Sequence, residues 1–246
     1  MFSTVRRKVW GLWIGAGLCV VMLTGCGSHN GELPTASIPS ADSGAGGAAR
    51  GNLVVEPVSL QPAGQAFQSP AIPPEDRHPE VVIKTSYGSI RLQLNAEKAP
   101  RTVDNFLYNY VQDGYYDQTI IHYVEQGYLL AAGGYDTRFE EKRTHTPIPC
   151  EAKNGLQNSR GTIAMARHPD FAHSATSQFF INLADNSMLD CQPSADDSVN
   201  GYCVFGEVIE GLDVLDKIAA VAVHDQEGFP RTPVEPVVIE SISRVK

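Results

Sequence analysis

The sequence predicts a mainly β domain with two helices, and two observations carry this prediction. Apolar residues alternate with their neighbours at a period of two in several short runs, for example at Phe179, Ile181 and Leu183. That period is typical of strands that bury one face in a sheet. Two other segments, residues 100–111 and 212–220, carry the apolar spacing of amphipathic helices. Many short strands covered by helices indicate a packed β domain.

The first predicted element is a β-hairpin. Residues 81–85 are mostly apolar, a turn with Gly88 follows, and Ile90, Leu92 and Leu94 then alternate with polar residues. A strand, a glycine-containing turn and a second strand of this kind form a hairpin.

The first helix is predicted from Pro100, a residue suited to a first helical turn, to a stop near Gly114. Its apolar residues recur at helical spacing and are expected in the core: Val103, Phe106, Leu107, Tyr110 and Val111. A second helix at residues 212–220 covers another face of the sheet, and residues 237–245 supply a closing strand.

The middle of the chain predicts a strand at residues 161–167, a polar loop, and a strand at residues 178–183. An ordinary sheet core explains this alternation when it is taken alone. The loop carries His168 and His173, for which we expect hydrogen bonds within the loop rather than contacts with a ligand. No third ligand accompanies them, so we expect neither a metal site nor a cofactor.

The chain has 246 residues, which suits one domain with extensions or two small domains, and its composition favours the first. Its formal net charge is -9, and no basic run lies outside the N-terminus. This charge pattern argues against a nucleic-acid-binding surface. We expect a monomer.

Five cysteines are present, of which Cys19 lies in the leader and Cys26 has a separate role. The remaining three, Cys150, Cys191 and Cys203, allow at most one internal disulfide in an exported protein, and the pairing stays open. Cys203 stands in an apolar run and is expected to be a buried thiol.

The N-terminus predicts a lipoprotein signal peptide at residues 1–25. Three basic residues precede an apolar segment at residues 9–23 that is shorter than a membrane span. Residues 23–26 resemble a bacterial lipobox, which makes Cys26 the lipidated residue; an ordinary signal peptide with an incidental cysteine is the alternative. Acyl chains on Cys26 would tether the protein to a membrane. Gly27 favours the outer membrane, with the protein facing the periplasm.

Residues 26–79 are rich in Gly, Ala, Ser and Pro and have no sustained amphipathic period. A segment of this composition cannot bury enough apolar surface to offset its ordering entropy, so a flexible tether of about 40 Å is predicted. The folded domain then occupies residues 80–246.

Several motifs carry more information than their apolar period: Ala99-Pro-Arg-Thr-Val-Asp-Asn-Phe106, Gly161-Thr-Ile-Ala-Met-Ala-Arg167, Gln178-Phe-Phe-Ile-Asn-Leu183 and Gly201-Tyr-Cys-Val-Phe-Gly-Glu-Val208. Their wording and order resemble the cyclophilin family of peptidyl-prolyl cis-trans isomerases, in the style of its bacterial members. The resemblance covers residues 81–245. It implies a closed, antiparallel, eight-stranded β-barrel capped by two α-helices, and isomerase activity without a cofactor.

Prolyl isomerisation needs neither a nucleophile nor a proton transfer. Its barrier is amide resonance of roughly 18 to 20 kcal/mol, and both isomers of an X-Pro bond are populated. A catalyst holds the proline in an apolar pocket and stabilises the twisted amide by hydrogen bonds. The resemblance implies that an arginine of the family donates these bonds, while a glutamine positions the backbone.

One half of the implied site departs from the family pattern. Tyr123 stands where the family has its arginine, and Ala131 where it has a glutamine. Tyr128 and Leu129 occupy the positions of a pocket phenylalanine and methionine. A tyrosine donates one neutral hydrogen bond, which is weaker than the charge-assisted bond it replaces.

The other half of the site keeps the family pattern, with Gln178 and Phe180 at the second glutamine and the pocket phenylalanine. The resemblance assigns substrate contacts to Tyr128, Leu129, Phe180, Met188, Leu189 and Tyr202. Catalytic roles are assigned to Tyr123, Gln178 and Arg167. Arg167 and Arg138 are considered as substitutes for the missing arginine, the alternative being that both are exposed or structural. His122 is expected in the core with its hydrogen bonds satisfied.

Two functions remain open from the sequence. The first is a lipid-anchored isomerase that acts on X-Pro segments of exported envelope proteins with reduced turnover. The second is a chaperone-like module that binds proline peptides without accelerating isomerisation, which the departures at Tyr123 and Ala131 favour. A weaker third is an interaction scaffold that does not use the pocket.

Overall fold

The structure is a computed structural model that describes residues 76–168, 171–192 and 201–245. The predicted signal peptide, the predicted lipidation of Cys26 and the predicted tether up to residue 75 lie outside the described residues. Among the described residues, no helix is long and apolar enough to cross a membrane.

The described residues form ten strands: β1 (Glu80–Thr85), β2 (Gly88–Leu94), β3 (Thr119–Glu125), β4 (Leu129–Asp136), β5 (Thr162–Met165), β6 (Phe179–Asn182), β7 (Val204–Glu210), β8 (Val223–Gln226), β9 (Phe229–Pro233) and β10 (Val237–Arg244). Eight of them close into an antiparallel barrel in the order β1, β10, β3, β4, β6, β5, β7, β2. This confirms the predicted fold class. The strands β8 and β9 pair as a separate two-stranded sheet that the sequence did not predict.

The predicted hairpin is confirmed, because β1 and β2 pair from Glu80 opposite Gln93 to Thr85 opposite Gly88. Gly88 has a φ of +132°, which a side chain rarely adopts, and an added Cβ there would lie 3.0 Å from Val214 Cγ2. Glycine is therefore required at the turn by its backbone and by its neighbour.

Two helices pack on the barrel, as predicted. The first, α1 (Pro100–Asp104), starts at its proline and continues as a π-helix (Asn105–Val111), while α2 (Leu212–Ala219) covers the barrel near β2. The apolar period places the first helix correctly, but it does not reveal the change to π-type hydrogen bonds. Two short 3₁₀ turns, Ala152–Asn154 and Ser187–Leu189, complete the helical segments of the described residues.

The barrel interior is filled by aromatic and branched side chains. Phe106 of the first helix contacts Phe205 with ring centroids 5.3 Å apart and Phe179 edge-on at 5.9 Å. Tyr116 is fully buried beside them, and its hydroxyl donates to the Ser177 carbonyl at 2.8 Å. The first helix therefore closes one end of the barrel, and its aromatic residues belong to the core.

Cys203 is buried, as predicted, and desolvation raises the pKa of its thiol to about 12. No disulfide joins Cys150, Cys191 and Cys203 in the described structure. Burial also raises the pKa of the Cys150 thiol, to which the nearby Cys191 contributes.

His122 lies in β3 with its ring buried between aromatic neighbours. The ring packs edge-on against Tyr135 at 4.9 Å and Phe229 at 6.4 Å. Its predicted place in the core is confirmed, but its predicted hydrogen bonding is wrong in part, because Nδ1 has no partner among the described residues. Desolvation lowers the pKa of His122 to about 4.

This buried histidine predicts a loss of stability in acid. Above its ordinary value of 6.5 the ring is neutral in both states, so it adds no pH dependence. As the pH falls from 6.5 to about 4, the unfolded chain takes up a proton that the buried ring does not, which favours unfolding. At about 1.4 kcal/mol per pH unit, the free energy of unfolding falls by about 3 kcal/mol on this account.

Urea unfolding of the wild type and of His122→Phe at about pH 7 and pH 4.5 measures the contribution of His122 to the free energy of unfolding. Surface carboxylates affect both proteins equally, so the wild type should lose about 3 kcal/mol more than the variant. An equal loss in the two proteins would show that His122 does not couple protons to folding.

Candidate functional site

A second apolar cluster lies apart from the barrel interior, and we call it the outer cluster. Its buried members come from four neighbouring strands or their ends and from the 3₁₀ turn at residues 187–189: Leu129, Ala131, Ala164, Ala166, Phe180, Leu189 and Val204. Four partly buried side chains pack against it: Tyr123, Tyr128, Leu156 and Tyr202. Six of the residues predicted for the site are thereby brought together: Tyr123, Tyr128, Leu129, Phe180, Leu189 and Tyr202.

The alternation of the strands separates the outer cluster from the core. In β6, Phe179 and Ile181 belong to the interior, whereas Phe180 belongs to the outer cluster. In β5, Ile163 lies in the interior and Ala164 in the outer cluster. Successive strand residues point to opposite faces, so the outer cluster lies on the outside of the barrel.

A single row of paired residues forms the floor of the site. Across the strands, Tyr123 pairs with Ala131, Ala131 with Phe180, Phe180 with Ala164, and Ala164 with Val204. The two alanines beside Phe180 have only a methyl group each, so the phenylalanine ring has small neighbours along the row. The row offers an apolar floor that suits a small ring such as that of proline.

Tyr202 forms one wall of the site. Its ring meets Phe180 edge-on at 5.4 Å, and its backbone nitrogen donates to the Leu189 carbonyl at 2.9 Å. Burial raises the pKa of the Tyr202 phenol and raises that of Tyr128 to about 12. Both phenols are therefore uncharged at neutral pH, and their hydroxyls are neutral hydrogen-bonding groups of the site.

A network of asparagine amides holds the walls in place. Asn186 donates through Nδ2 to the Tyr128 carbonyl at 2.9 Å and to Asn182 Oδ1 at 2.7 Å. Asn182 in turn donates to Asn158 Oδ1 at 3.2 Å. All three asparagines are buried, so their hydrogen bonds avoid the cost of an unpaired polar group. This network was not predicted from the sequence, where its signal is three asparagines beside apolar runs.

The polar end of the row is Tyr123. Its hydroxyl donates to Glu125 Oε2 at 2.5 Å, and burial together with this carboxylate raises the pKa of the phenol. Arg231 of β9 lies on the other oxygen of the same carboxylate, with Nη2 3.3 Å from Glu125 Oε1. Arg231 and Glu125 were not predicted from the sequence, because their contact depends on how β9 packs on β3.

Gln178 stands just before β6 and two residues from Phe180. A side-chain hydrogen bond joins it to Tyr135, and its side chain lies over Gly134. A Cβ at residue 134 would stand 2.7 Å from Gln178 Cγ, so glycine is needed for this close approach. The Gln178 side chain therefore bonds to Tyr135 and packs closely on Gly134, both in β4.

The two arginines considered as substitutes are both engaged. Arg167 donates from Nε to the Gly201 carbonyl at 2.8 Å, and its guanidinium lies 5.1 Å from the centroid of the Tyr202 ring. Arg138 is exposed, and its Nη2 lies 3.1 Å from Asp136 Oδ2 and 2.9 Å from Glu140 Oε2. Arg167 thus borders the site at Tyr202, while Arg138 is tied to its own loop.

Three other residues that the sequence singled out are not part of the outer cluster. Met188 is 73% exposed and is not part of the outer cluster. The His168 ring contacts that of Phe171 in a tilted arrangement with centroids 4.9 Å apart. His173 accepts through Nδ1 from the Cys150 backbone nitrogen at 3.0 Å. Among the described residues, no group of three or more His, Cys, Asp or Glu side chains could hold a metal ion.

Comparison with known proteins gives one consistent result. Residues 80–244 match the family model described as cyclophilin type peptidyl-prolyl cis-trans isomerase/CLD. Peptidyl-prolyl cis-trans isomerase B of Escherichia coli K12 is 44% identical over 165 residues, which cover 66% of this chain and 98% of that protein. The isomerase cyp18 of Streptomyces antibioticus is 48% identical over 161 residues, covering 65% and 95% of the two chains.

Solved structures show the same fold. A cyclophilin type peptidyl-prolyl cis-trans isomerase of Cryptosporidium parvum superposes with a TM-score of 0.56 at 23% identity, covering 69% of this chain and 98% of that one. That protein was also crystallised in the presence of the dipeptide Ala-Pro, and this second structure gives a TM-score of 0.55 at 24% identity.

Proposed function

Because the chain belongs to the cyclophilin-type peptidyl-prolyl cis-trans isomerase family, we propose that it isomerises X-Pro bonds of exported envelope proteins, with reduced turnover. The outer cluster receives the proline ring, and the twisted amide lies toward Tyr123 and Gln178. The observation that carries this proposal is the row from Tyr123 through Phe180 to Val204, an apolar floor with a hydrogen-bonding group at one end.

The mechanism uses binding energy alone. Apolar contacts with Phe180, Leu129 and Leu189 hold the proline, while the peptide bond before it stays free to rotate. A donor that binds the pyramidal proline nitrogen more tightly than the planar one lowers the barrier. Turnover is reduced because Tyr123 brings a neutral hydroxyl in place of a charged guanidinium.

The location is proposed from the sequence. Residues 1–25 have the pattern of a lipoprotein signal peptide, and Cys26 is the acylated residue of the resembled lipobox. The domain then stands on a tether of residues 26–79 at the outer membrane and faces the periplasm. Its substrates there are X-Pro segments of proteins that fold after export.

A peptide-binding module without catalysis is the second candidate. The observation that favours it is the hydrogen bond from Tyr123 to Glu125, because a phenol has a single proton to donate. A phenol that keeps this bond has no donor for the substrate amide.

An isomerisation assay with an Ala-Pro peptide decides between the two candidates. The full chain is expected to accelerate the exchange in proportion to its concentration, and an excess of a second proline peptide should inhibit it while a matched Ala-Ala peptide does not. Binding of the Ala-Pro peptide without any acceleration at high protein concentration would contradict catalysis and support the module. Absence of both would contradict the use of the outer cluster.

A further inference from the structure

The phenol of Tyr123 is occupied in this structure. Its hydroxyl donates to Glu125 Oε2, and a bond from a hydroxyl to a carboxylate is charge-assisted. A substrate carbonyl or proline nitrogen is an acceptor and needs the same proton. A donor that takes over Glu125 would free the Tyr123 proton for the substrate.

Arg231 is placed to be that donor. Its Nη2 is 3.3 Å from Glu125 Oε1, and among the described residues this carboxylate is the only hydrogen-bond or ion-pair partner of the side chain. A guanidinium has five N–H donors in a planar fork that matches both oxygens of a carboxylate. The loose one-sided contact seen here can therefore close into a two-sided one when the phenol leaves.

The backbone around Arg231 is fixed. Arg231 has a φ of +49°, in the left-handed region that favours glycine, and its backbone nitrogen donates to Asp225 Oδ1 at 2.8 Å. The next residue, Thr232, is buried, and its hydroxyl lies 3.0 Å from the His122 carbonyl of β3. A non-glycine residue keeps such a backbone only where its surroundings impose it, as they do here beside Tyr123.

We propose that Arg231 is a positioning residue for catalysis: by taking both oxygens of Glu125 when substrate arrives, it releases the Tyr123 hydroxyl to donate to the peptide. The inference rests on the proposed function, because it requires a proline peptide in the outer cluster. Arg231 thus supplies the positive charge of this site from another strand. It acts through Glu125 and does not itself touch the substrate.

Removing Arg231 should lower turnover, and removing Glu125 as well should restore it. Arg231→Met is expected to lower kcat/KM by about tenfold, mostly in kcat, since the phenol then stays on Glu125. In the double variant Arg231→Met with Glu125→Ala, no carboxylate captures the phenol, and most of the loss should be recovered. The matched control is Arg160→Met, because Arg160 is similarly exposed and pairs with Asp216 away from the outer cluster.

Three kinetic results would overturn the proposal: no change in Arg231→Met, an equal loss in Arg160→Met, or a loss that persists in the double variant. The last would mean that Arg231 either contacts substrate directly or only stabilises the fold. A purely structural ion pair with Glu125 would also be rescued by the second deletion, but its loss would lower the free energy of unfolding of Arg231→Met. A loss of kcat in Arg231→Met at unchanged stability, recovered in the double variant, is a result that a merely structural arginine does not give.

A readout without turnover separates this inference from the proposed function. The ¹³Cζ resonance of Tyr123 reports the hydrogen bonding of its phenol. On saturation with an Ala-Pro peptide it should shift in the wild type and stay in place in Arg231→Met. A shift in the wild type but not in Arg231→Met, without isomerase activity, would refute the proposed catalysis while keeping the release of the Tyr123 hydroxyl by Arg231. If the peptide binds to the wild type and the ¹³Cζ resonance of Tyr123 does not shift, the positioning role of Arg231 is refuted, even when the enzyme is active.

Discussion

Tyr123→Arg is expected to raise kcat/KM for an Ala-Pro peptide by about 10² to 10³. A preorganised donor at a catalytic site typically contributes about 2.7 to 4 kcal/mol, which corresponds to that range of rates. Tyr123 pairs across the strands with Ala131, next to Phe180, so an arginine side chain there has an alanine methyl as its nearest cross-strand neighbour and can extend over the row. The measurement is kcat/KM in the same assay for both proteins.

Tyr123→Phe is the control for this prediction. It keeps the ring and removes only the hydroxyl, so any activity that the phenol supports is lost while the packing stays. An increase in Tyr123→Arg together with a decrease in Tyr123→Phe assigns the donor to this position. If Tyr123→Arg binds peptide normally and gains nothing, the reduced turnover does not arise at Tyr123, and Arg167 beside Tyr202 becomes the residue to test.

The sequence predicts those strands and helices whose signals lie within a few neighbouring residues. The period of two along Ile90, Leu92 and Leu94 predicts β2, and Pro100 predicts the start of the first helix, because both signals lie within a few residues. The pairing of β8 with β9 was not predicted, since residues 223–226 are mostly exposed and show no apolar alternation. Exposed strands carry little pattern, because no face is buried.

The site residues likewise fall into those that the sequence predicts and those that it does not. Motif positions identify Phe180, Leu189 and Tyr202, and the structure brings these three into the outer cluster. A motif fixes a position along the chain but not the direction of its side chain, which explains why Met188 is mostly exposed although its neighbour Leu189 is buried. Arg231 depends on contact between distant strands, and no local signal predicts such a contact.

Phe180→Ala is expected to lower kcat/KM by about 10². The ring lies at the centre of the row. Full burial of an apolar side chain contributes about 1.5 to 3 kcal/mol, and we expect a proline that is buried against this ring to gain binding free energy of that size. Its loss leaves an apolar gap between Ala131 and Ala164, so the proline is held less tightly and less often in the productive orientation. The loss should appear in KM as well as in kcat, because binding and positioning both depend on the ring.

The neighbouring Phe179→Ala provides a matched control, since it removes the same side chain from the other face of β6. Phe179 packs in the interior against Phe106 and Tyr116, so its removal should cost about 3 to 5 kcal/mol of stability. Under conditions where both variants remain folded, Phe179→Ala should keep nearly all of its kcat/KM. An equal loss of activity in the two variants would mean that the barrel, and not the outer cluster, determines the rate. A selective loss in Phe180→Ala would place the proline on the outer face, where the alternation of β6 directs that one ring.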